Sequence, residues 1–154
     1  DLDIRTKAAW LIDITKTNYL FAADSNNLEP RLYDIIKNVF GEIENLFIGM
    51  ECVGAPMSWV YGPLLPSSID RKKDNSRRLN GSNFESAIKV VDSLGSKKVF
   101  VYAMGMEPWL EFITAIGKDD DKDTTPQMME AHKFVAKCIE NSIPAEILYG
   151  RSLS

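Results

Sequence analysis

Residues 82–103 read SNFESAIKVVDSLGSKKVFVYA, and this stretch decides the fold class of the chain. Ser82 and Glu85 form an S-x-x-E pattern, which predicts a helix that begins with Ser82 as its N-cap and ends at Gly95. The apolar stripe of this helix consists of Phe84, Ala87, Ile88, Val91 and Leu94. Val99–Ala103 follows and predicts a buried strand, because it is short, apolar and rich in β-branched and aromatic residues. A helix that leads directly into a buried strand is typical of an α/β protein with a parallel sheet.

The segment before this stretch predicts a hairpin, a helix and a strand. Ala8–Ile14 and Tyr19–Ala23 are short apolar runs that flank a polar turn over residues 15–18, so they predict a β-hairpin. A helix is expected from Pro30, which suits a first helical turn, to the glycine at position 41. Its inward face is predicted to consist of Leu32, Ile35, Ile36, Val39 and Phe40. Leu46–Met50 (LFIGM) predicts a buried strand.

The segment after this stretch predicts two helices and a last strand. Pro108 opens a short helix, and Thr125-Pro126 suits the N-cap and first turn of a longer one. The longer helix is expected to bury Met128, Ala131, Val135, Cys138 and Ile139. Pro144 ends it, and Ala145–Tyr149 predicts the final strand. The order β-β-α-β-loop-α-β-α-α-β therefore predicts a sheet that is mostly parallel after an N-terminal hairpin.

Length, charge and cysteine content restrict the class of protein. The chain is expected to form a single α/β domain or half-domain over residues 1–154. The net charge of −4 gives no reason to expect nucleic acid as a partner. No membrane association is expected either, because no apolar run approaches the ~20 residues that cross a bilayer. Cys52 and Cys138 are expected to be reduced thiols, which, with no signal peptide in the sequence, favours a cytoplasmic location.

Three of the predicted strands are followed by an acidic residue. Asp24 follows the second strand, Glu51 the third and Glu107 the fourth. Because the carboxyl ends of parallel strands meet at one edge of a sheet, these carboxylates are expected to share that edge. Carboxylate oxygens there suit a divalent metal ion or a general acid–base step. The alternative is an acid that only stabilises a helix N-terminus, and it applies best to Glu107 beside Pro108.

Residues 51–80 are expected to form a long functional or contact loop, because they combine several glycines and prolines with no clear element. Trp59 and Tyr61 in its apolar part could line a substrate pocket, or they could pack against a neighbouring domain or subunit. Arg77 and Arg78 in its basic part could bind a substrate phosphate, a carboxylate or a carrier domain, or simply form a solvated surface.

Several segments resemble the metallo-β-lactamase-fold superfamily. Asp24 in Ala22-Ala23-Asp24 follows a hairpin and precedes a helix, as a metal-bridging aspartate does in that family. The segments that carry the likeness are DIRTKAAWLID, LFAADSNNLEP, LFIGMECVGAPMSWVYGPLL and VYAMGMEPWL. The resemblance implies the C-terminal half of an αββα sandwich, in a subgroup that includes hydrolases and dinuclear-iron oxygenases of natural-product pathways. The chain departs from the family because it has no H-x-H-x-D-H motif and carries Met104 where the last metal-binding histidine is expected.

The function that this resemblance implies is that of the C-terminal part of a metal-dependent enzyme, in the first place a hydrolase. The complete protein would bind two divalent metal ions, zinc or iron, and act on a small-molecule substrate. Asp24 would be the bridging ligand, with Glu107 as a further ligand and Glu51 as a catalytic group. A dinuclear-iron oxygenase and a non-catalytic interaction module are the alternatives.

The chain alone is expected to be inactive and to bind no transition metal tightly. Its single histidine, His132, is expected at the edge or surface of a helix, and the scattered acids give too few convergent ligands. Half of a sandwich also leaves one apolar sheet face open, and Trp10, Trp59 and Tyr61 are expected to lie on it. The missing N-terminal half or a second copy of this chain is the expected partner for that face.

Overall fold

A computed structural model describes residues 8–23, 31–52, 58, 66–68, 70, 81–103 and 125–148 of the chain. These ranges contain a five-stranded sheet and three helices. The strands are β1 (Trp10–Ile14), β2 (Thr17–Phe21), β3 (Asn45–Gly49), β4 (Lys98–Tyr102) and β5 (Ala145–Ile147). The helices are α1 (Arg31–Phe40), α2 (Phe84–Leu94) and α3 (Pro126–Glu140).

The sheet runs in the order β1-β2-β3-β4-β5. Strands β1 and β2 are antiparallel, whereas β2, β3, β4 and β5 are mutually parallel neighbours. The predicted α/β fold class and the parallel arrangement after an N-terminal hairpin are therefore confirmed. Because each crossover moves one strand along the sheet in the same direction, right-handed connections place α1, α2 and α3 on one face.

The hairpin is tighter than the sequence predicts. Only Thr15 and Lys16 form the turn, and Thr17 and Asn18 already belong to β2. Both turn residues have positive φ angles, 47° and 77°. This is the pattern of the two-residue turn whose twist matches that of paired strands. The sequence did not indicate a two-residue turn, because threonine and lysine are not the usual residues of such turns.

The core lies between the sheet and the helix layer. Helix α1 packs against α2, α2 packs against α3, and α3 packs against β4 and β5. The strands contribute the fully buried side chains of Leu20, Leu46, Ile48, Val99 and Val101, and the helices contribute those of Val90, Leu94 and Phe134. None of the helices in these described ranges is long and apolar enough to cross a membrane.

Helix α1 exposes most of the face that was predicted to be buried. Leu32, Ile35, Val39 and Phe40 are each more than half exposed, whereas Tyr33 is buried and Ile36 packs on the core. The prediction of a single inward face was therefore wrong for this helix. The physical reason is the position of α1 at the end of the helix layer. Among the described helices only α2 is its neighbour, so the covered part of α1 is narrower than its apolar arc.

The other two helices differ from the prediction in detail. The N-cap of α2 is Asn83, not Ser82, and its side chain accepts a hydrogen bond from the backbone N–H of Ser86 at 2.9 Å. Gly95 ends α2 in a left-handed conformation with φ 62°, as predicted. Thr125 caps α3, as predicted. The buried stripe of α3 contains Phe134, whereas Ile139 is 58% exposed.

The opposite face of the sheet carries a row of aromatic side chains. The strand register aligns Trp10, Phe21, Phe47 and Phe100 across four strands. The rings of Phe21 and Phe47 stack with centroids 4.5 Å apart, and those of Phe47 and Phe100 do the same. Trp10 lies in this row and is 69% exposed, and no described helix packs on this face. Trp59 and Tyr61 lie outside the described residues.

Candidate functional site

The carboxyl edge of the parallel strands is the candidate site. Since β2, β3 and β4 are parallel, the residues that follow them, Ala23, Glu51 and Ala103, lie at the same edge. Glu51 is half-buried there. The structure therefore places one of the three predicted acids at the expected edge. The other predicted site residues lie outside the described residues, namely Asp24, Trp59, Tyr61, Arg77, Arg78 and Glu107.

The carboxyl end of β3 is held from both sides by its neighbouring strands. The backbone N–H of Gly49 donates to the carbonyl oxygen of Ala23 at 2.9 Å, and the N–H of Met50 donates to that of Tyr102 at 3.3 Å. The N–H of Cys52 donates back to the carbonyl of Met50 at 2.8 Å, which turns the chain. Backbone groups bonded in this way leave little freedom for Glu51 to shift.

A third set of hydrogen bonds comes from the segment that precedes α2. The N–H of Gly81 donates to the carbonyl of Glu51 at 2.9 Å, and the N–H of Ser82 donates to that of Gly49 at 3.4 Å. Both Gly81 and Ser82 are buried. Burial explains why Ser82 is not the helix cap: it lies against the end of β3, and the exposed Asn83 caps the helix instead.

Helix α3 fixes the start of α2 through Glu130. One carboxylate oxygen of Glu130 accepts the backbone N–H of Phe84 at 2.9 Å, and the other accepts from the ammonium group of Lys133 at 3.0 Å. The hydrogen bond from Phe84 is the first cause, and that from Lys133 the second, that lower the pKa of Glu130 below its usual value. The carboxylate is therefore ionised at neutral pH and stabilises the positive end of the α2 dipole.

Two alanines at this edge adopt a left-handed backbone. Ala23 has φ 49° and Ala103 has φ 51°, and each stands just after a strand that flanks β3. For a residue with a Cβ atom this conformation costs about 1–2 kcal/mol. Strained residues cluster at functional sites, because surrounding contacts must maintain them. Their positions directly before Asp24 and Met104 make this edge the best candidate site in the described part of the chain.

The two cysteines are free thiols, as predicted. Burial, followed by the nearby charge of Glu130, raises the pKa of Cys52. Burial, followed by the charge of Asp92, raises the pKa of Cys138 to about 11. Both thiols are therefore protonated near neutral pH, which makes them weak nucleophiles.

The described ranges hold no group of three or more histidine, cysteine, aspartate or glutamate side chains that could bind a metal ion. His132 is exposed on α3, as predicted. These residues alone thus do not supply the ligand set of a metal centre. Ligands from residues outside the described ranges, or outside this chain, would be required.

Sequence reasoning missed Gly81, Glu130 and the two left-handed alanines. Gly81 had a weak signal, since glycine is the residue type that permits a close approach of the backbone. Glu130 had none, because it binds the N-terminus of a helix 46 residues away. Ala23 and Ala103 also had no signal in the sequence, because alanine does not favour positive φ angles.

Comparison with known proteins places these observations in a family context. No protein-family model matches the chain. The chain is 43% identical over 151 residues to the 4-amino-L-phenylalanyl-[CmlP-peptidyl-carrier-protein] 3-hydroxylase of Streptomyces venezuelae, and the match covers 98% of this chain and 28% of that protein.

Solved structures agree with the sequence comparison. The crystal structure of CmlA, a diiron β-hydroxylase from Streptomyces venezuelae, matches with a TM-score of 0.83 and 43% identity over 99% of this chain and 28% of that one. A single-residue variant of the CmlA β-hydroxylase matches with a TM-score of 0.80 and 41% identity, with the same shares of the two chains. The chain therefore spans 28% of the length of the relatives it matches. These relatives are hydroxylases, so the comparisons favour the oxygenase alternative and give no support to a hydrolase.

Proposed function

This chain belongs to the metallo-β-lactamase-fold superfamily, and from that premise we propose that it forms part of the catalytic domain of a dinuclear-iron oxygenase. One observation carries the proposal: a diiron β-hydroxylase is 43% identical to this chain over a match that covers 99% of this chain and 28% of the hydroxylase. The fold supports it as well, since the parallel strands bring their carboxyl ends to one edge.

The proposed metal is iron in the complete protein, two ions per site, in place of zinc. Bound iron would supply the redox chemistry that activates dioxygen. Asp24 is the proposed bridging ligand, and Glu107 and Glu51 are proposed to contribute carboxylate oxygens, which suit iron. Because the described residues do not hold a complete ligand set, the other ligands come from elsewhere in the polypeptide.

The proposed substrate is an aminoacyl group carried by a peptidyl carrier protein. The relative from Streptomyces venezuelae acts on 4-amino-L-phenylalanine held in this way. Trp59 and Tyr61 are proposed to contact the aromatic or apolar part of such a substrate. Arg77 and Arg78 are proposed to contact the carrier, whose phosphate-bearing arm would suit guanidinium groups.

The test is a hydroxylation assay with the complete polypeptide that carries this chain. The purified protein is loaded with iron, reduced, and incubated with aminoacylated carrier protein under isotopically labelled dioxygen. The proposal predicts that the acyl group gains one labelled oxygen atom, read by mass spectrometry of the carrier. Incorporation of oxygen from water, or hydrolysis of the acyl group without dioxygen, would instead favour a hydrolase.

A matched pair of variants ties the reaction to the carboxyl edge. Asp24→Ala is expected to abolish hydroxylation, because it removes the proposed bridging ligand. Asp13→Ala is the control, since Asp13 is exposed on β1 and pairs with Asn18 beside the hairpin turn, away from the carboxyl edge. Equal activity in the two variants would remove Asp24 from the site, and a complete protein with neither metal nor activity would support the interaction module.

A further inference from the structure

The backbone of Gly81 lies unusually close to the end of β3. A Cβ atom added at Gly81 would lie 3.1 Å from the backbone nitrogen of Glu51 and 3.2 Å from the carbonyl oxygen of Gly49. Both distances are tighter than ordinary van der Waals contact. Both atoms belong to the backbone at the end of β3, where Gly49 and Met50 donate hydrogen bonds to the two neighbouring strands. A Cβ atom at Gly81 would therefore force the backbone at the end of β3 to move by a few tenths of an ångström.

This requirement for glycine is one of contact and not of backbone torsion. Gly81 does not have a positive φ angle, unlike Gly41 and Gly95. Its side chain is absent because its N–H must reach the carbonyl oxygen of Glu51, 2.9 Å away. Glycine thus serves here as a backbone clamp on the residue that bears the half-buried carboxyl group.

The clamp is itself anchored on its far side. Asn83, two residues after Gly81, caps α2, and Phe84 donates its backbone N–H to Glu130 of α3 at 2.9 Å. Residues 81–84 are therefore tied to β3, α2 and α3 at once. Because three elements hold this segment, the position of the Glu51 backbone depends on where the helices lie.

We propose that Gly81 is a positioning residue for Glu51: its missing side chain lets residues 81–82 hold the backbone at the end of β3, and so fixes where the Glu51 carboxyl group stands at the candidate site. The inference rests on the proposed function only for the role of the Glu51 carboxylate, which is to contribute oxygen atoms to the iron site. The clamp itself rests on the hydrogen bonds and close contacts of the described residues.

The first test uses the complete wild-type polypeptide and amide hydrogen exchange. The amide of Gly81 is expected to exchange as slowly as that of Gly49 in β3, because each is buried and hydrogen-bonded. Exchange of Gly81 at the rate of an unprotected amide would overturn the proposal, whatever any variant does.

The second test compares Gly81→Ala with Gly41→Ala. Gly41 has nothing within 4 Å of an added Cβ but has a φ of 82°, so its variant reports the general cost of strain without contact to the site. Gly81→Ala is expected to speed exchange at residues 51 and 81 at least tenfold and to shift the NMR signal of the Glu51 carboxyl carbon. Gly41→Ala is expected to leave both unchanged. A folded Gly81→Ala protein with an unaltered Glu51 signal would overturn the proposal, as would equal shifts in the two variants.

A third variant separates this inference from the proposed function. Glu51→Gln removes the carboxylate but leaves the clamp in place. If Glu51→Gln retains full iron binding and hydroxylation while Gly81→Ala still shifts the Glu51 carboxyl signal, the clamp stands and the proposed role of Glu51 fails. If Gly81→Ala leaves that signal unchanged while Glu51→Gln loses iron, the role of Glu51 stands and the clamp fails.

Discussion

The two faces of the sheet are both apolar, but the described residues cover only one of them. On the helix side Leu20, Leu46 and Val99 are almost fully buried. On the other side Phe21, Phe47 and Phe100 stack on one another and remain partly exposed. Strands that read as continuous apolar runs are typical of sheets covered on both faces. The strands therefore have the sequence of a sheet that is covered on both faces, whereas the described helices of this chain cover one face.

The aromatic row on the uncovered face ends beside charged residues of β4 and β5. Lys98 lies over the ring of Phe100, 4.5 Å from its centroid, and its ammonium group is 3.3 Å from the carboxylate of Glu146 on β5. The aromatic row thus ends in an ion pair at the β5 side of the sheet. We propose that a second polypeptide segment, either an N-terminal half of the sandwich or a second copy of this chain, covers the row from β1 to β4.

The largest expected effect separates two adjacent residues of β3. Leu46→Ala is expected to lower the free energy of unfolding by about 2–5 kcal/mol, because it leaves a cavity in the helix-covered core. Phe47→Ala in the chain alone is expected to cost about 1–2 kcal/mol, mainly the lost stacking on two rings. Urea unfolding of both variants gives the two values.

The same pair measured in the complete polypeptide tests whether the bare face acquires a cover. There Phe47→Ala is expected to cost about 3–5 kcal/mol, the usual loss for a buried phenylalanine. An unchanged small cost in the complete polypeptide would mean that the aromatic face stays open, and the half-sandwich interpretation would be wrong.

A smaller effect is expected at Glu130, which ties two helices of the covered side. Glu130→Gln is expected to lower the free energy of unfolding by about 1 kcal/mol at pH 7, because it weakens the hydrogen bond from Phe84 to a charged side chain that is only 25% exposed. Glu140→Gln is the matched control on the same helix, since among the described residues Glu140 pairs with Lys137, three residues away, and its side chain is 69% exposed. The control is expected to change stability by only a few tenths of a kcal/mol.

The pH dependence of this effect follows from the direction of the pKa shift. The folded protein lowers the pKa of Glu130, so the unfolded state binds the proton more tightly. The stabilisation is fully present above the ordinary glutamate pKa and is lost as the pH falls through the lowered folded value. Urea unfolding at pH 7 and at successively lower pH should therefore show the wild type converging on Glu130→Gln. If the difference in stability between wild type and Glu130→Gln stays constant at every pH, the stabilisation does not come from the charge of Glu130.

The smallest effect is expected at the carboxyl edge. There an alanine-to-glycine substitution should stabilise the fold, whereas the same substitution inside a helix should destabilise it. Ala23→Gly is expected to stabilise the fold by about 0.5 kcal/mol, because relief of the left-handed strain exceeds the added freedom of the unfolded chain. Ala136→Gly, at an exposed position inside α3, is expected to cost about 1 kcal/mol. Thermal unfolding compares the two, and destabilisation by both would argue against stored strain at Ala23.

Much of the fold could be predicted from local signals. The LFIGM run, the Thr125-Pro126 cap and the glycine at position 95 each specify an element boundary by short-range chemistry, and each was confirmed within a residue or two. The burial of α1 could not be predicted in the same way. Its apolar arc is wide, and which part of it is covered depends on where the helix lies in the layer.

The candidate site was less predictable than the fold. Parallel strand order was enough to place Glu51 at the carboxyl edge, because strand direction fixes that edge. The contacts that hold Glu51 come from Gly81 and, through α2, from Glu130, which lie far from it in sequence. Such long-range backbone contacts leave no periodic pattern. Asp24 and Glu107 remain predictions, since they lie outside the described residues.

The most direct test of a dinuclear-iron site is the metal content of this chain alone and of the complete polypeptide, each expressed with iron and carefully desalted. If this chain is part of a dinuclear-iron oxygenase, the complete polypeptide is expected to contain two iron ions, as its diiron relative does. The chain alone, whose described residues hold no ligand cluster, is expected to bind no transition metal tightly. Stoichiometric zinc in the complete polypeptide, the absence of any metal from it, or a metal bound tightly by the chain alone would contradict the claim that this sequence is part of a dinuclear-iron oxygenase.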